Sequence, residues 1–224
     1  MTTNVERSNE SRPSSSRRLI RVCQFRTALW CVIIGSWLSI CVAGFLPLLS
    51  YDNGPGDSAL PLPTWPASGL LKTTPGKYTL VAFLHPQCPC SRATVGELAI
   101  CMAHYGKLVT AYALFLKPKT INDGWAKSDL FANAAAIPGV TTMLDSDGKM
   151  AHLFGAKTSG QVFLFNPSNQ LVFSGGITDS RGHFGDNAGL DALSSNISGN
   201  RFAPDKSAVF GCALFAKDLG RKNQ

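Results

Sequence analysis

Charged residues are scarce in this chain, and its basic residues form no cluster beyond the N-terminal stretch. Only 16% of the 224 residues are charged and 45% are hydrophobic, which excludes a globally disordered chain and predicts a packed core. The net charge is +7, but residues 1–27 hold six arginines against two glutamates, leaving fifteen basic and twelve acidic residues spread over the remainder. Such a dispersed surplus is typical of a solvated surface, so we predict no nucleic-acid partner.

Charge is absent altogether from residues 27–51. About twenty apolar residues in a helix cover the ~30 Å hydrocarbon core of a bilayer. Six arginines precede this segment, while Asp52 and Asp57 follow it. The positive-inside rule therefore predicts a single-pass anchor with residues 1–26 in the cytoplasm and the rest of the chain exported.

Two other interpretations of the apolar segment are a cleaved signal peptide and a lipoprotein processed at Cys41. The apolar run is longer than the core of a signal peptide usually is, and no clear small-residue cleavage site follows it. Ile40 precedes Cys41, where lipoprotein processing requires a small residue. A retained signal anchor is the interpretation we favour.

The pattern divides the chain into five regions. In order, they are a cytoplasmic disordered basic tail (residues 1–26), the transmembrane anchor (27–51), a Pro/Gly-rich linker (52–76), a folded domain (77–197) and a C-terminal extension (198–224). The linker composition predicts a semi-rigid spacer that keeps the domain clear of the membrane.

Within the folded domain, short apolar runs alternate with helical periodicity. Strands are expected at residues 78–84, 108–116, 141–144, 161–165 and 170–174, and helices at residues 91–105, 125–136, 150–154 and 187–195. The last two strands form a hairpin across an Asn-Pro-Ser-Asn turn. Alternating β/α elements followed by an antiparallel hairpin predict a three-layer α/β sandwich with a mixed sheet.

The segment Cys88-Pro89-Cys90 lies between the first strand and the first helix of this domain. A helix N-terminus offers unpaired backbone N–H groups that lower a thiol's pKa, and proline suits the first helical position. Cys88 is therefore predicted to be an exposed, nucleophilic thiolate, with Cys90 within disulfide reach. The small ring that such a disulfide closes predicts a strained, oxidising couple. Two buried structural cysteines, or a metal site completed by a histidine, are the alternatives.

The other five cysteines divide into three groups. Cys23, Cys31 and Cys41 lie in or beside the apolar segment, where cysteine acts as a small hydrophobe. Cys101 lies roughly 16 Å along the helix from Cys90 at 1.5 Å per residue, too far to pair with Cys88, and is expected in the core. Cys212 belongs to the C-terminal extension, where it could bridge to Cys101, tether the tail, or resolve Cys88. We favour a disulfide over a free thiol at Cys212.

Three segments resemble the thioredoxin-like proteins of the TlpA/ResA and redoxin groups. They are V-A-F-L-H-P-Q-C-P-C-S-R, F-G-A-K-T-S-G-Q-V-F-L-F-N and S-G-G-I-T-D-S, all within residues 77–197. The resemblance implies a thioredoxin-like fold and a bacterial oxidoreductase held in the inner membrane with its domain in the periplasm. It further implies catalytic Cys88 and Cys90, protein thiols or disulfides as partners, and no cofactor.

This sequence departs from the family pattern at two positions. Ser91 stands where the family has its second cysteine, so Cys90, Cys212 or an external thiol must resolve Cys88. Gly160 aligns with the family's cis-proline, and Gly160 with its neighbour Ser159 is expected to offer backbone to a partner. That proline also limits metal binding, so its absence supports an alternative in which Cys88 and Cys90 bind copper, since soft thiolates select Cu(I).

Two related families fit less well. A peroxiredoxin needs a Thr or Ser three residues before its cysteine, and His85 stands there. A copper chaperone of the Sco type needs a wider cysteine pair and a histidine before the hairpin, where this chain has Thr158-Ser159-Gly160.

A glycine-rich loop at residues 175–185 is expected to return to the cysteine pair. We hypothesise that His183 or Arg181 in this loop stabilises the thiolate or moves protons. The alternative is a tight surface loop in which Asp186 or Asn187 only caps the following helix.

Overall fold

The computed structural model describes residues 15–58, 60–67, 70–200 and 202–215. The chain forms two compact units, residues 1–51 and residues 52–224. Helix α1 spans Ser15–Asp52, so residues 15–26 are helical and not part of a disordered tail. Extending an existing helix costs less free energy than starting a new one, and residues 15–26 hold neither Gly nor Pro, so the apolar helix continues through them. Residues 1–14 of the expected tail lie outside the described residues.

Helix α1 is long and apolar enough between Cys23 and Asp52 to cross a membrane, judged by length and composition. Its apolar side chains are exposed along this length, as Ile40 is at 72%. A signal sequence near the N-terminus would satisfy the same criterion.

Among its described residues the second unit contains ten elements, which follow the predicted order with one additional helix. They are β1 (Tyr78–Leu84), α2 (Pro89–Tyr105), β2 (Val109–Lys117), α3 (Asp123–Ala126), α4 (Asp129–Ala135), β3 (Val140–Ser146), α5 (Lys149–Phe154), β4 (Gln161–Phe165), β5 (Leu171–Gly176) and α6 (Ala188–Ile197).

The single helix expected at residues 125–136 is wrong, because two short helices occupy that region. The Asn122 side chain accepts a hydrogen bond from the Trp125 N–H and so begins α3. Ser128 then adopts extended backbone and begins α4 as a new helix. Polar residues that favour N-caps thus interrupt the helical periodicity.

The five strands form one mixed sheet in the order β3-β2-β1-β4-β5. β1 lies at the centre, parallel to β2 and antiparallel to β4. Every residue of β1 after Tyr78 is buried, which explains its continuous apolar run.

Alternate residues of β1 serve the two faces of the sheet. Leu80, Ala82 and Leu84 pack with apolar residues of α2, α4 and α6, whereas Val81 and Phe83 pack with α5. This arrangement confirms the predicted three-layer sandwich with a mixed sheet.

The linker, predicted to be a semi-rigid spacer, packs on the domain. The Trp65 ring lies edge-on to Phe154 and Phe165, with centroid distances of 5.6 and 5.1 Å. Leu71 is buried in the same cluster, and the Leu171 N–H donates to the Pro63 carbonyl at 2.9 Å. Burying Trp65 and Leu71 stabilises the layer that α5 alone covers incompletely.

Candidate active site

Cys88 stands at the junction of the central strand and helix α2. It is the N-cap of α2, with extended backbone, and Pro89 occupies the first turn. The Cys88 N–H donates to the His85 carbonyl at 3.2 Å, closing the turn after β1. Cys88 therefore lies at the positive end of the helix, as predicted.

Three cysteine sulfurs meet at this point. The Sγ atoms of Cys88, Cys90 and Cys212 all lie within 4.8 Å of one another, and the Cys88 and Cys212 Sγ atoms are 3.1 Å apart. All three are free thiols. The structure therefore brings the predicted pair together with a third thiol that is 124 residues away in the chain.

The expectation of an exposed Cys88 is wrong. Cys88 is 4% exposed and Cys90 is 5% exposed, while Cys212 is partly exposed. The reason is that the C-terminal extension returns to the site and lays Cys212 against the Cys88 sulfur.

Residues 205–215, which we call the C-terminal strap, pair with two segments of the domain. The Ser174 N–H donates to the Asp205 carbonyl at 2.9 Å, and the Gly176 N–H donates to the Ala208 carbonyl at 3.2 Å, so the strap first follows β5. It then forms an antiparallel bridge between Thr158 and Ala213.

Around Cys212 the strap is held by backbone hydrogen bonds on both sides. The Ser159 N–H donates to the Cys212 carbonyl, and the Leu214 N–H donates to the Lys157 carbonyl, both at 2.8 Å. Gly211 is required here, because a Cβ at this position would lie 1.9 Å from the Ser159 carbonyl oxygen. Cys212 is thus positioned by backbone on each side of it.

The electrostatics of the three thiols are unequal. The pKa of Cys88 is lowered to about 4, chiefly by a hydrogen bond from the Cys90 thiol, although burial opposes this shift. The Cys212 thiol and the backbone N–H groups of Ser91 and Cys212 lower it further. The same hydrogen bond to Cys88 raises the pKa of Cys90. Burial, with the Cys88 contact, raises the pKa of Cys212 to about 11. One thiolate stabilised by two protonated thiols is the arrangement that results.

Ser159 ties the strap to the turn that carries Cys88. Its side chain is fully buried, and its Oγ lies 2.5 Å from the Ser91 Oγ. The His85 backbone N–H donates to both hydroxyls, at 2.9 and 3.0 Å. Ser91, which stands at the family's second cysteine position, therefore fixes the turn through a hydroxyl.

Gly160 adopts a conformation that proline cannot. Its φ is +90°, and a Cβ there would lie 2.8 Å from the Thr94 Oγ1, whereas proline is restricted to φ near −65°. The Gly160 N–H also donates to the Phe83 carbonyl at 2.7 Å. Because proline has no N–H, the family's residue would lose this hydrogen bond as well.

The glycine-rich loop does reach the site, through Arg181 and Gly182. The Arg181 guanidinium donates to the carbonyls of Gly211 and Gly54, and its charge acts to lower the pKa of Cys212. The Gly182 backbone donates a hydrogen bond toward the Cys90 sulfur. Arg181 is thus seen to hold the strap, and its effect on the Cys88 thiolate stays a hypothesis.

His183 lies on the exposed side of this loop. Its Nδ1 is 3.0 Å from the Arg181 carbonyl oxygen. Asn187 caps α6 by accepting from the Leu190 N–H at 2.7 Å, and the buried Glu97 carboxylate accepts from the Gly185 N–H. Burial raises the pKa of Glu97. The capping interpretation of the loop is confirmed for Asn187, and the role of His183 stays a prediction.

The suggested disulfide between Cys101 and Cys212 is wrong. Cys101 lies in the core between α2 and the sheet, 1% exposed, and burial raises its pKa to about 12. It follows Cys90 by eleven residues of α2, or about 16 Å at 1.5 Å per residue. Since the Cys212 sulfur lies within 4.8 Å of the Cys90 sulfur, Cys101 is far beyond disulfide reach.

Comparison with known proteins shows the fold. No family model matches the chain, and no curated protein matches it in sequence. The structure is similar to a hypothetical protein from Sinorhizobium meliloti, with TM-score 0.52 and 21% identity over 71% of this chain and 93% of that chain. It is also similar to an uncharacterized conserved protein from Geobacillus kaustophilus, with TM-score 0.52 and 18% identity over 75% and 95%.

A weaker similarity is to a protein from Chlorobium tepidum described as thiol:disulfide interchange protein DsbE, with TM-score 0.42 and 23% identity over 65% of this chain and 96% of that chain. The sheet order and the Cys-x-Cys turn at the start of α2 agree with the predicted resemblance. The second unit of this chain has a thioredoxin-like fold.

Proposed function

We propose that this protein is a thiol–disulfide oxidoreductase, anchored in the bacterial inner membrane by α1, with its thioredoxin-like unit in the periplasm. Cys88 is the nucleophile, and protein thiols or disulfides are the partners. The observation that carries the proposal is the Cys88 sulfur at the N-terminus of α2, 3.1 Å from a second thiol sulfur.

The chemistry follows from one thiolate beside two protonated thiols. The Cys88 thiolate attacks one sulfur of a partner disulfide, forms a mixed disulfide and releases the other sulfur, which takes a proton. A second thiol of the site then attacks the Cys88 sulfur, and its proton passes to the departing partner sulfur. The partner gains two electrons and two protons. The two cysteines of the site supply both electrons and one proton, and the other proton comes from solvent because Cys88 starts as a thiolate.

The anchor proposal depends on the uncharged helix and on the distribution of charge around it. Arginines precede the apolar segment of α1, and Asp52 ends the helix, which orients the second unit outward. Protease treatment of intact spheroplasts should degrade a C-terminal epitope tag and protect an N-terminal one. The opposite protection pattern would reject this orientation.

The redox proposal is tested on the full chain in detergent micelles. Reduced protein is mixed with dithiobis(nitrobenzoate), and released thionitrobenzoate is followed by absorbance. Wild type and Cys31→Ser, a matched substitution in α1, should react alike, whereas Cys88→Ser should lose the fast phase. An unchanged fast phase in Cys88→Ser would reject Cys88 as the nucleophile.

Copper binding is the second candidate, favoured by one observation. Three thiol sulfurs within 4.8 Å form a soft donor set of the kind that selects Cu(I), with Cys212 added to the predicted Cys88 and Cys90. Anaerobic Cu(I) titration against a competing chelator tests this candidate. One equivalent bound tightly by wild type and lost in each of the three Cys→Ser variants would support it, and no binding above the Cys88→Ser level would reject it.

A further inference from the structure

The covering of Cys88 by the C-terminal strap is the feature that the proposed function leaves unexplained. A nucleophile that acts on other proteins is expected to be accessible, yet Cys88 is 4% exposed. The group that lies against it is another thiol, Cys212, held by backbone hydrogen bonds to residues 157 and 159. The strap therefore presents a cysteine to Cys88 on an extended segment, as a bound partner protein would.

We propose that Cys212 is the resolving cysteine, so that the redox couple of this protein is Cys88–Cys212 and not Cys88–Cys90. This inference rests on the proposed function and deepens it, because it names the second half of the reaction. It also assigns a catalytic residue to the C-terminal extension, outside the predicted thioredoxin-like region.

The first argument is the placement of Cys212. Its sulfur lies 3.1 Å from the Cys88 sulfur, so a bond of about 2 Å requires only a small approach. The bridge between Thr158 and Ala213 fixes the strap on one side of Cys212, and Arg181 holds the Gly211 carbonyl on the other. Such positioning turns resolution into an efficient intramolecular step.

The second argument is the placement of Cys90. It lies within the first turn of α2, directly after Pro89, and only two residues from Cys88, so a bond between them would close a small ring. Pro89 stands inside that ring and fixes φ, which limits how the backbone can adapt to disulfide geometry. The Cys90 sulfur lies within 4.8 Å of the Cys88 sulfur and its thiol acts to lower the pKa of Cys88, which makes Cys90 a positioning residue for the thiolate.

The reaction balances with a partner disulfide and one proton from solvent, which protonates the first partner sulfur to leave. The Cys88 thiolate first forms a mixed disulfide with the partner, whose other sulfur leaves as a thiol after protonation. Cys212 then loses its proton and attacks the Cys88 sulfur as a thiolate, and the second partner sulfur takes up that proton as its bond to Cys88 breaks. The products are two partner thiols and a Cys88–Cys212 disulfide. The strap must lift for the first step and return for the second.

Peptide mapping of the oxidised full chain tests the proposal. Protein in detergent micelles is oxidised with glutathione disulfide, free thiols are blocked with N-ethylmaleimide, and trypsin digestion follows. Cys88 and Cys90 fall on the peptide of residues 78–92, and Cys212 falls on the peptide of residues 207–217. Wild type and Cys90→Ser should both give these two peptides joined by a disulfide.

Removal of Cys212 should leave the reaction half complete. Cys212→Ser and Cys212→Ala should each keep a glutathione adduct on Cys88, and release of the second glutathione should slow by at least about 100-fold, because the intramolecular step is lost. The matched substitution Cys31→Ser should change nothing. The near-isosteric serine variant guards against a loss that comes from misfolding, since retained adduct formation requires a folded site.

Two different results would contradict the role of Cys212 and the proposed function, respectively. An internal Cys88–Cys90 disulfide in oxidised wild type, with Cys212 carrying maleimide, would overturn the role of Cys212 and leave the proposed function intact. Failure of glutathione disulfide to modify Cys88 in every variant would overturn the proposed function itself.

Discussion

The start of α2 and the C-terminal strap supply the two halves of one site, but the sequence describes them very unequally. The start of α2 carries its information locally, because a buried strand, a proline and two cysteines occur within a few residues. The strap has no regular element among its described residues. Its cysteine is placed beside Cys88 only by hydrogen bonds to residues distant in the chain. A local signal predicts the proposed nucleophile, whereas the residues that cover it and the thiol beside it depend on tertiary structure.

The strongest way to break this comparison is to remove the nucleophile. Cys88→Ser should lower the rate of thionitrobenzoate release by about three orders of magnitude or more, because a serine hydroxyl is not ionised near neutral pH. Stopped-flow absorbance measures this rate. Cys101→Ser, which alters a buried thiol in the core, is the control and should keep the fast phase in the protein that remains folded.

The strap itself can be displaced without touching any cysteine. Gly211→Ala places a Cβ against the Ser159 carbonyl, and overpacking of this kind costs about 1–3 kcal/mol. We expect a lower free energy of unfolding in urea and faster alkylation of Cys88. Gly96→Ala is the matched control, because its Cβ would meet only Phe184 at 3.8 Å, and helical Gly→Ala stabilises by about 0.5–1 kcal/mol. Equal effects of the two substitutions would contradict the packing that we describe.

The pH dependence of Cys88 tests the thiol network. Since the pKa of Cys88 is lowered to about 4, its iodoacetamide reaction should rise through that pH and be flat between about pH 6 and 8. Cys90→Ala removes the principal hydrogen bond, so the midpoint should move up by about one to two pH units. Cys90→Ser keeps a donor and should move it less. A midpoint near pH 9 in wild type would contradict the network.

Arg181 offers the smallest and most specific effect. Arg181→Ala removes the donor to the Gly211 carbonyl and a charge that lowers the pKa of Cys212. We expect a loss of about 1 kcal/mol in the free energy of unfolding, and slower resolution of the glutathione adduct as a second readout. Arg92→Ala breaks only an exposed ion pair with Asp129 and should change stability by about 0.5 kcal/mol or less. Equal resolution rates in the two variants would reject a role for Arg181 in holding the strap.

Most of the fold follows from patterns within short windows. The continuous apolar run of β1 and the Asn-Pro-Ser-Asn turn before β5 each contain their own signal, and the structure agrees with both. The interrupted helix at residues 123–135 was missed because periodicity takes no account of Asn122 and Ser128 as caps. The linker was misjudged because its composition suggests a spacer, while Trp65 and Leu71 pack on the domain.

The site was only half accessible to sequence reasoning for the same reason. Cys88 and Cys90 were identified from their position between strand and helix, and Gly160 from its alignment with a proline. The contact of Ser91 with Ser159 could not be foreseen, since 68 residues separate them. A signal for Cys212 does exist in Gly211, because a glycine directly before a cysteine is compatible with close backbone approach, but that pattern alone does not say which backbone it approaches.

The distance of Cys212 along the chain has a consequence for biosynthesis. Translation at roughly 5–20 residues per second places about 6 to 25 seconds between the appearance of Cys88 and that of Cys212, which follows it by 124 residues. Throughout that interval the Cys88 sulfur has no strap against it and is open to any disulfide or oxidant that it meets. Addition of the strap therefore ends a period in which Cys88 can react without selection.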